Sequence, residues 1–297
     1  MECIDQLSEG PDRPIYNFSS NIERSRKHHI HQLLNNQNHN VEDEKVEKLQ
    51  HECDLFLLSS HSSYLADISL YNFADLGRRN VNGWGIGYYQ NENAKVVKSN
   101  EPANNGTVSR EFKIASQAIS SPIILGHLRF TSRGTNRVEN NHPFKLHFLN
   151  HNWLFIHNGS ASSGIQLVPY ERRLLVNSDN DSPRIFEFLR EKIVDYVMSS
   201  PKKSLIEACR NAFIELLKKD PNGSFNIILS NGHINFVFIH WRTFYLLKRE
   251  KGNGDTMIIS TLKLNDEEEW IPFDKLSDKR AKMLVFSGPS LIFNGDI

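Results

Sequence analysis

Cys53-Asp54-Leu55-Phe56-Leu57-Leu58 is the stretch on which the fold turns. Four apolar residues in succession, Leu55 to Leu58, suit a strand that is fully buried. The chain changes character abruptly at this point. Residues 1 to 52 are rich in Asn, His, Ser, Glu and Lys, as in Leu34-Asn35-Asn36-Gln37-Asn38-His39-Asn40, and hold few large apolar groups. Such a segment cannot bury enough surface to offset its ordering entropy. It reads as a flexible leader or propeptide, with 53–297 as the folded domain. Glu42 to Glu52 could form a short charged helix, but its apolar stripe is thin. His28, His29 and His31 have no other ligand type nearby, and a solvated surface accounts for them better than a metal does.

Working outward, nine segments read as strands. They are the opening run and Gly85 to Gln90, Pro122 to Phe130, Trp153 to His157, Phe225 to Leu229, Ile234 to His240, Phe244 to Leu247, Met257 to Leu262 and Met283 to Phe286. Gly, Asn and Asp punctuate them, and Ser230-Asn231-Gly232-His233 is a strong hairpin signal. Ile185, Phe186, Leu189, Ile193, Val194 and Val197 keep helical spacing, as do Leu205, Cys209, Phe213, Leu216 and Leu217. A third helix is expected over Ser62 to Leu76. Many strands with short turns, and helices in blocks of their own, indicate an α+β layered fold rather than alternating βαβ units. No internal repeat is present.

Composition narrows the function. Lys+Arg and Asp+Glu both number 35 in 297 residues, so the formal net charge is zero. That balance argues against a protein built to grip nucleic acid or an anionic membrane. No apolar run reaches the length of a membrane helix and the N-terminus lacks a secretory core, which makes the cytoplasm the default location. Three scattered cysteines, Cys3, Cys53 and Cys209, form neither a disulfide framework nor a zinc motif. Cys209 falls on the apolar stripe of its helix and reads as a small buried hydrophobe. Cys3 lies in the leader. Cys53 opens the folded region after His51-Glu52, and on composition alone a core residue at a strand start is the simpler reading.

Four further motifs carry chemistry. Asn82-Gly83-Trp84-Gly85-Ile86-Gly87 is a glycine-rich entry to a strand, where the backbone can approach another loop closely. A phosphate loop is a weak alternative, since no helix or Lys-Ser/Thr follows. Gly126-His127-Leu128-Arg129-Phe130-Thr131-Ser132 puts a guanidinium near the end of an apolar strand, beside polar Thr131 and Ser132. It can fork onto a carboxylate ligand, and a structural salt bridge serves as well. Trp153-Leu154-Phe155-Ile156-His157-Asn158-Gly159 ends a buried strand in a side-chain amide and a glycine N–H. These donors suit an oxyanion hole, although a simple turn would also explain them. Ser178-Asp179-Asn180-Asp181-Ser182 is an acidic turn before a helix, where Asp and Ser are ordinary N-caps.

In this order the motifs resemble the class II glutamine amidotransferases. The match comprises Cys53-Asp54-Leu55-Phe56, Gly83-Trp84-Gly85, His127-Leu128-Arg129, Asn140-Asn141-His142-Pro143-Phe144, His157-Asn158-Gly159 and Asp181-Ser182, and extends from Cys53 to about Phe293. The resemblance implies the αββα sandwich of N-terminal-nucleophile hydrolases: four layers, with two mainly antiparallel sheets inside. It implies that Cys53 becomes the first residue of the mature chain and attacks the side-chain amide of glutamine. Its own α-amino group, with a pKa of about 7.7–8.0, would act as general base. Asn158 and the Gly159 N–H would stabilise the oxyanion, Arg129 would hold the substrate α-carboxylate and Asp181 its α-ammonium. Thr131, His142, Gly83 and Trp84 would line the substrate site. No metal and no organic cofactor is implied.

Two departures stand out. Asn82 replaces the family's usual Asp before the Gly-Trp-Gly segment, and Pro183 stands where Glu is frequent. The 52-residue leader is also longer than expected for a propeptide, and cleavage between Glu52 and Cys53 is the expectation. The length left after Cys53 points to a stand-alone glutaminase domain, with a synthase partner chain to receive ammonia. A hydrolase of γ-glutamyl peptides or conjugates is the alternative, and a catalytically silent glutamine-binding regulatory subunit is a third reading.

Overall fold

In the computed structural model the described residues are 52–131, 135–169, 179–200, 202–250, 255–273 and 281–297. The leader through His51, with Cys3, His28, His29, His31 and most of the charged stretch from Glu42, lies outside them, as do Ser132 and Ser178. Among the described residues the chain forms β1 (Asp54–Leu65), α1 (Asp67–Leu76), β2 (Trp84–Gln90), β3 (Asn93–Ser99), α2 (Arg110–Ala118), β4 (Ser120–Leu128), β5 (Phe144–Phe148) and β6 (His151–Ser160). Then come α3 (Ser182–Ser199), α4 (Leu205–Lys219), β7 (Ser224–Ser230), β8 (Ile234–Ile239), β9 (Phe244–Arg249), β10 (Thr256–Ser260), β11 (Ile271–Phe273), β12 (Lys282–Ser287) and β13 (Ser290–Asp296).

The strands make two sheets, ordered β11-β9-β10-β1-β4-β2-β3 and β13-β12-β8-β7-β6-β5, and the strand pairs run antiparallel. Side-chain parity explains how they stack. Successive residues of a strand point to opposite faces. Leu55 and Leu57 join Leu154, Ile156, Ile228 and Ile259 in a core between the two sheets. Phe56 and Leu58 point the other way, into a core with Leu70 and Phe73 of α1 and Phe112 of α2. On the second sheet Phe155 and Ile227 turn outward to meet Ile185, Phe186 and Leu189 of α3 and Phe213 of α4. The order is therefore helix, sheet, sheet, helix, which is the four-layer α+β sandwich expected.

Local chemistry sets the helix ends. Ser204 caps α4 in a reciprocal box: its hydroxyl accepts the Glu207 N–H at 3.2 Å, while its own N–H donates to the Glu207 carboxylate at 2.9 Å. Cys209 is fully buried on the inner face of α4, and burial pushes its thiol well up, so it packs as an inert hydrophobe. One boundary differs from expectation. The helix anticipated from Ser62 begins only at Asp67, because β1 continues to Leu65 and re-pairs Tyr64 and Leu65 with β4 after a register shift. None of the helices among the described residues is long and apolar enough to cross a membrane.

Ile156 is fully buried between the sheets, so Ile156→Ala opens a cavity that both sheets must tolerate. Urea denaturation is expected to show a loss of about 2–5 kcal/mol with an unchanged m-value.

Candidate active site at the start of the central strand

Cys53 immediately precedes β1, at the end of the seven-stranded sheet where β4 also ends; Asp54 pairs with Leu128. The thiol donates to the Phe130 carbonyl at 3.3 Å, and the Phe130 N–H donates back to the sulfur at 3.3 Å. From the second sheet, the Asn158 side-chain amide at the end of β6 donates to the Cys53 carbonyl oxygen. The two sheets thus meet at the residue that opens the folded domain. Burial pushes the Cys53 thiol up to about 12. The Phe130 backbone bond and Arg129 pull it down, and the carboxylates of Glu52 and Asp54 push it further up.

A second group of polar residues surrounds that contact. Asp54 is 2% exposed; it accepts from Asn80 at 2.7 Å and from the Thr261 hydroxyl at 2.9 Å, and pairs with Arg242 at 2.9 Å. Arg242 also donates to the Cys53 carbonyl at 3.0 Å. The turn that carries Arg242 is shaped by buried Asn226 of β7. Its side-chain oxygen accepts the His240 and Trp241 N–H groups at 3.0 and 3.1 Å, and its amide donates to the Arg242 carbonyl at 2.6 Å. The Trp241 indole in turn donates to the Asn158 carbonyl at 3.2 Å. Sequence reading missed Arg242 and Asn226. The available signal was a polar Asn inside the apolar run of β7.

The expected site residues fall into three groups. Cys53, Asn158, Gly159, Arg129 and Thr131 come together. Gly159 has a φ of +131°, and a Cβ there would sit 1.9 Å from the Ser224 carbonyl, so only glycine fits. The Arg129 guanidinium donates twice to the Thr135 carbonyl at 3.2 Å, and the Thr135 N–H donates to Asp179 at 3.1 Å. The Thr131 N–H donates to the Asn82 side chain at 2.8 Å. That bond needs only an acceptor, which Asn and Asp supply equally, so the departure at Asn82 keeps its structural role.

Asp181 occupies the N-cap position of α3 but makes no capping bond there; instead its carboxylate accepts the Ala161 N–H at 2.7 Å, just beyond β6. The next residue, Ser162, is held by Asp220. A cavity of about 450 Å³ lies against this turn, lined by Ala161 to Ile165, Leu167, Asp181 and Arg184. Pro183 occupies the first turn of α3, where a missing N–H costs nothing.

Gly83 and His142 pack beside the site, whereas Trp84, expected to line it, turns its ring away. The Trp84 ring is buried in the outer helical core, edge-on to Phe112 at 5.0 Å. A Cβ on Gly83 would meet the Asn141 amide at 2.4 Å, and one on Gly85 the His142 carbonyl at 1.9 Å. The glycines of this motif let the 140–143 segment lie directly on β2. His142 is buried with its ring 4.2 Å from that of His127 and 6.4 Å from that of His157. The His157 ring lies 3.0 Å from the Ser182 hydroxyl and 3.3 Å from the Ser224 carbonyl. Burial drives all three histidines below their ordinary range, His127 to about 3, so they are neutral near pH 7. Among the described residues no three His, Cys, Asp or Glu are grouped to hold a metal ion.

Two antiparallel sheets packed face to face between helical layers, with a cysteine leading into the central strand, form the architecture of the N-terminal-nucleophile hydrolases. The sequence model for "Glutamine amidotransferases class-II" matches residues 52–294, and the chain belongs to that family. It is 23% identical over 194 residues to "Putative glutamine amidotransferase YafJ" of Escherichia coli K12, covering 65% of this chain and 73% of that one. It is 28% identical over 242 residues to "Uncharacterized protein MJ1515" of Methanocaldococcus jannaschii, covering 79% of this chain and 63%, less than two thirds, of that one. Among solved structures, the Pseudomonas aeruginosa protein titled a predicted glutamine amidotransferase superposes with a TM-score of 0.56 at 19% identity, over 81% of this chain and all of that one. The glutamine phosphoribosylpyrophosphate amidotransferase of B. subtilis gives a TM-score of 0.57 at 15% identity, over 82% of this chain and 49% of that one. These likenesses concern the fold.

The buried histidines give stability a definite pH dependence. Their folded pKa values lie below the unfolded value of about 6.5, so the unfolded chain takes up protons first as pH falls. Their contribution is complete above about pH 6.5 and declines below it, by up to about 1.4 kcal/mol per pH unit for each histidine. Urea midpoints are expected to fall steeply from pH 6.5 towards pH 4.5, and His142→Phe is expected to flatten that slope. An equal slope in the variant would contradict the assignment.

Proposed function

We propose that this chain hydrolyses the γ-amide of glutamine through a cysteinyl thioester on Cys53, releasing ammonia and then glutamate. The observation that carries the reading is the Asn158 amide lying on the Cys53 residue itself, beside the Arg129 strand end. The thiolate attacks the amide carbon, and the carbonyl oxygen gains negative charge as the tetrahedral intermediate forms. Asn158 has a second amide hydrogen for that oxygen, with the Gly159 N–H as the companion donor. Collapse expels ammonia, which takes the proton drawn from the thiol; water then cleaves the thioester to glutamate. Arg129 receives the α-carboxylate and Asp181, which has one carboxylate oxygen beyond its Ala161 bond, receives the α-ammonium. Thr131 and Gly83 border the substrate and His142 packs behind them, while the Trp84 ring faces the outer helical core and is not part of the walls.

The reading includes removal of the leader between Glu52 and Cys53. With Glu52 attached, the thiol is held near 12 and has no adjacent amine to take its proton. A free α-amino group of about 7.7–8.0 supplies a base that is partly unprotonated at neutral pH, at a fixed distance from the sulfur. Cleavage also removes the Glu52 carboxylate, one of the charges opposing thiolate formation. A synthase partner chain is the proposed recipient of the ammonia.

An electrophilic glutamine analogue, 6-diazo-5-oxo-norleucine, is expected to add one covalent equivalent at Cys53, and Cys53→Ala to abolish the adduct and ammonia release. Asn158→Ala is expected to lower ammonia release on the order of 100- to 1000-fold. Turnover of γ-glutamyl conjugates but not glutamine would move the substrate class. Reversible analogue binding without an adduct would remove the enzymatic reading.

A further inference from the structure

Arg242 takes no part in the amide chemistry above, yet it touches the residue that carries the nucleophile. One guanidinium nitrogen donates to the Cys53 carbonyl at 3.0 Å, and the other meets the Asp54 carboxylate at 2.9 Å. The guanidinium therefore forks across a single peptide, from the oxygen on one side to the carboxylate on the other. Its own backbone is fixed by Asn226, and Asp54 is anchored further by Asn80 and Thr261. Asn158 donates to the same Cys53 carbonyl oxygen, and the Phe130 backbone holds the sulfur. The charged groups facing the sulfur are Glu52, Asp54 and Arg129, with Arg242 acting on it by way of Asp54.

We propose that Arg242 is a positioning residue of this site: it locks the Cys53–Asp54 peptide that aims the thiol and neutralises Asp54 beside it. The proposal rests on Cys53 being the nucleophile. Its two parts separate by substitution. Arg242→Lys keeps the charge but loses the planar fork, so it can hold the carbonyl or the carboxylate but not both in the same geometry. Arg242→Gln leaves a buried carboxylate without its cation, close to the sulfur. Arg242→Gln combined with Asp54→Asn removes both charges, restores electrical balance and leaves the peptide unheld. The double variant also guards against misfolding of Arg242→Gln alone, since a neutral pair avoids the uncompensated buried charge.

The test uses the protein expressed as the full chain and purified after processing to begin at Cys53, as wild type and as these three variants, with folding checked by circular dichroism. Two rates are read: ammonia release from glutamine, and alkylation of Cys53 by iodoacetamide followed by intact mass. Arg242→Gln is expected to slow alkylation about 10-fold, because the unscreened Asp54 charge opposes the thiolate. The charge-balanced pair is expected to recover most of the alkylation rate while kcat stays about 100-fold down and KM moves less than about threefold, the pattern of a misaimed nucleophile. Arg242→Lys is expected to fall between, with near-normal alkylation and reduced kcat. Wild-type values of both rates in all folded variants would overturn the proposal, and full turnover in the charge-balanced pair would reduce Arg242 to a counter-ion. If the wild type releases no ammonia, the proposed function fails, while the alkylation rates still decide whether Arg242 governs the thiol.

Discussion

The Cys53 carbonyl oxygen is the point on which the rest of the site depends. It accepts from Asn158, which ends a strand of one sheet, while Cys53 itself leads into the central strand of the other. Arg242, from the turn between β8 and β9, donates to the same oxygen. Three separate chain segments are held to one atom, and their relative placement is set by how the two sheets pack. The inter-sheet core of Leu55, Leu57, Leu154, Ile156 and Ile228 is therefore part of the site's geometry as well as of its stability. Shifting the sheets by an ångström would separate the amide donor from the cysteine, a displacement that typically costs about 100-fold in rate.

Around that atom the electrostatics are balanced at short range. Asp54 is buried but has a guanidinium, an amide and a hydroxyl as partners, so its charge is matched. The three histidines on the inner side are neutral and pack mainly as aromatic rings against each other and against Phe144 and Phe155. At the sulfur, burial first and then two neighbouring carboxylates outweigh the Phe130 bond and Arg129 and hold its proton in place. A thiol in that state is a poor nucleophile, and a base within reach changes it.

Much of this was legible in the sequence, and the part that was not has a common cause. The nine strands anticipated from apolar runs are the nine interior strands of the two sheets. The four that were missed, β3, β5, β11 and β13, are the four sheet edges. An edge strand has one unpaired side and is often half exposed, so its pattern is diluted: β13 alternates exposed and half-buried residues, and β3 carries Lys95 and Lys98. Four of the motifs, at Cys53, Gly83 to Gly85, His127 to Arg129 and His157 to Gly159, were visible because they lie at the ends of interior strands; Asn140 to Phe144 leads into edge strand β5 and Asp181-Ser182 opens α3. Cys53 and Arg242 are 189 residues apart, and only the folded sheets bring them together. Trp84 illustrates the reverse. The Gly-Trp-Gly segment borders the site, but strand alternation turns the indole away into the outer helical core.

Everything chemical in this account requires the Cys53 nitrogen to be a free amine. N-terminal sequencing of the protein purified from its native host, on the fraction that turns over glutamine, tests that requirement directly. The account predicts a chain whose first cycle yields cysteine and whose next residues are Asp-Leu-Phe-Leu. Active protein that still carries residues 1–52 would contradict it.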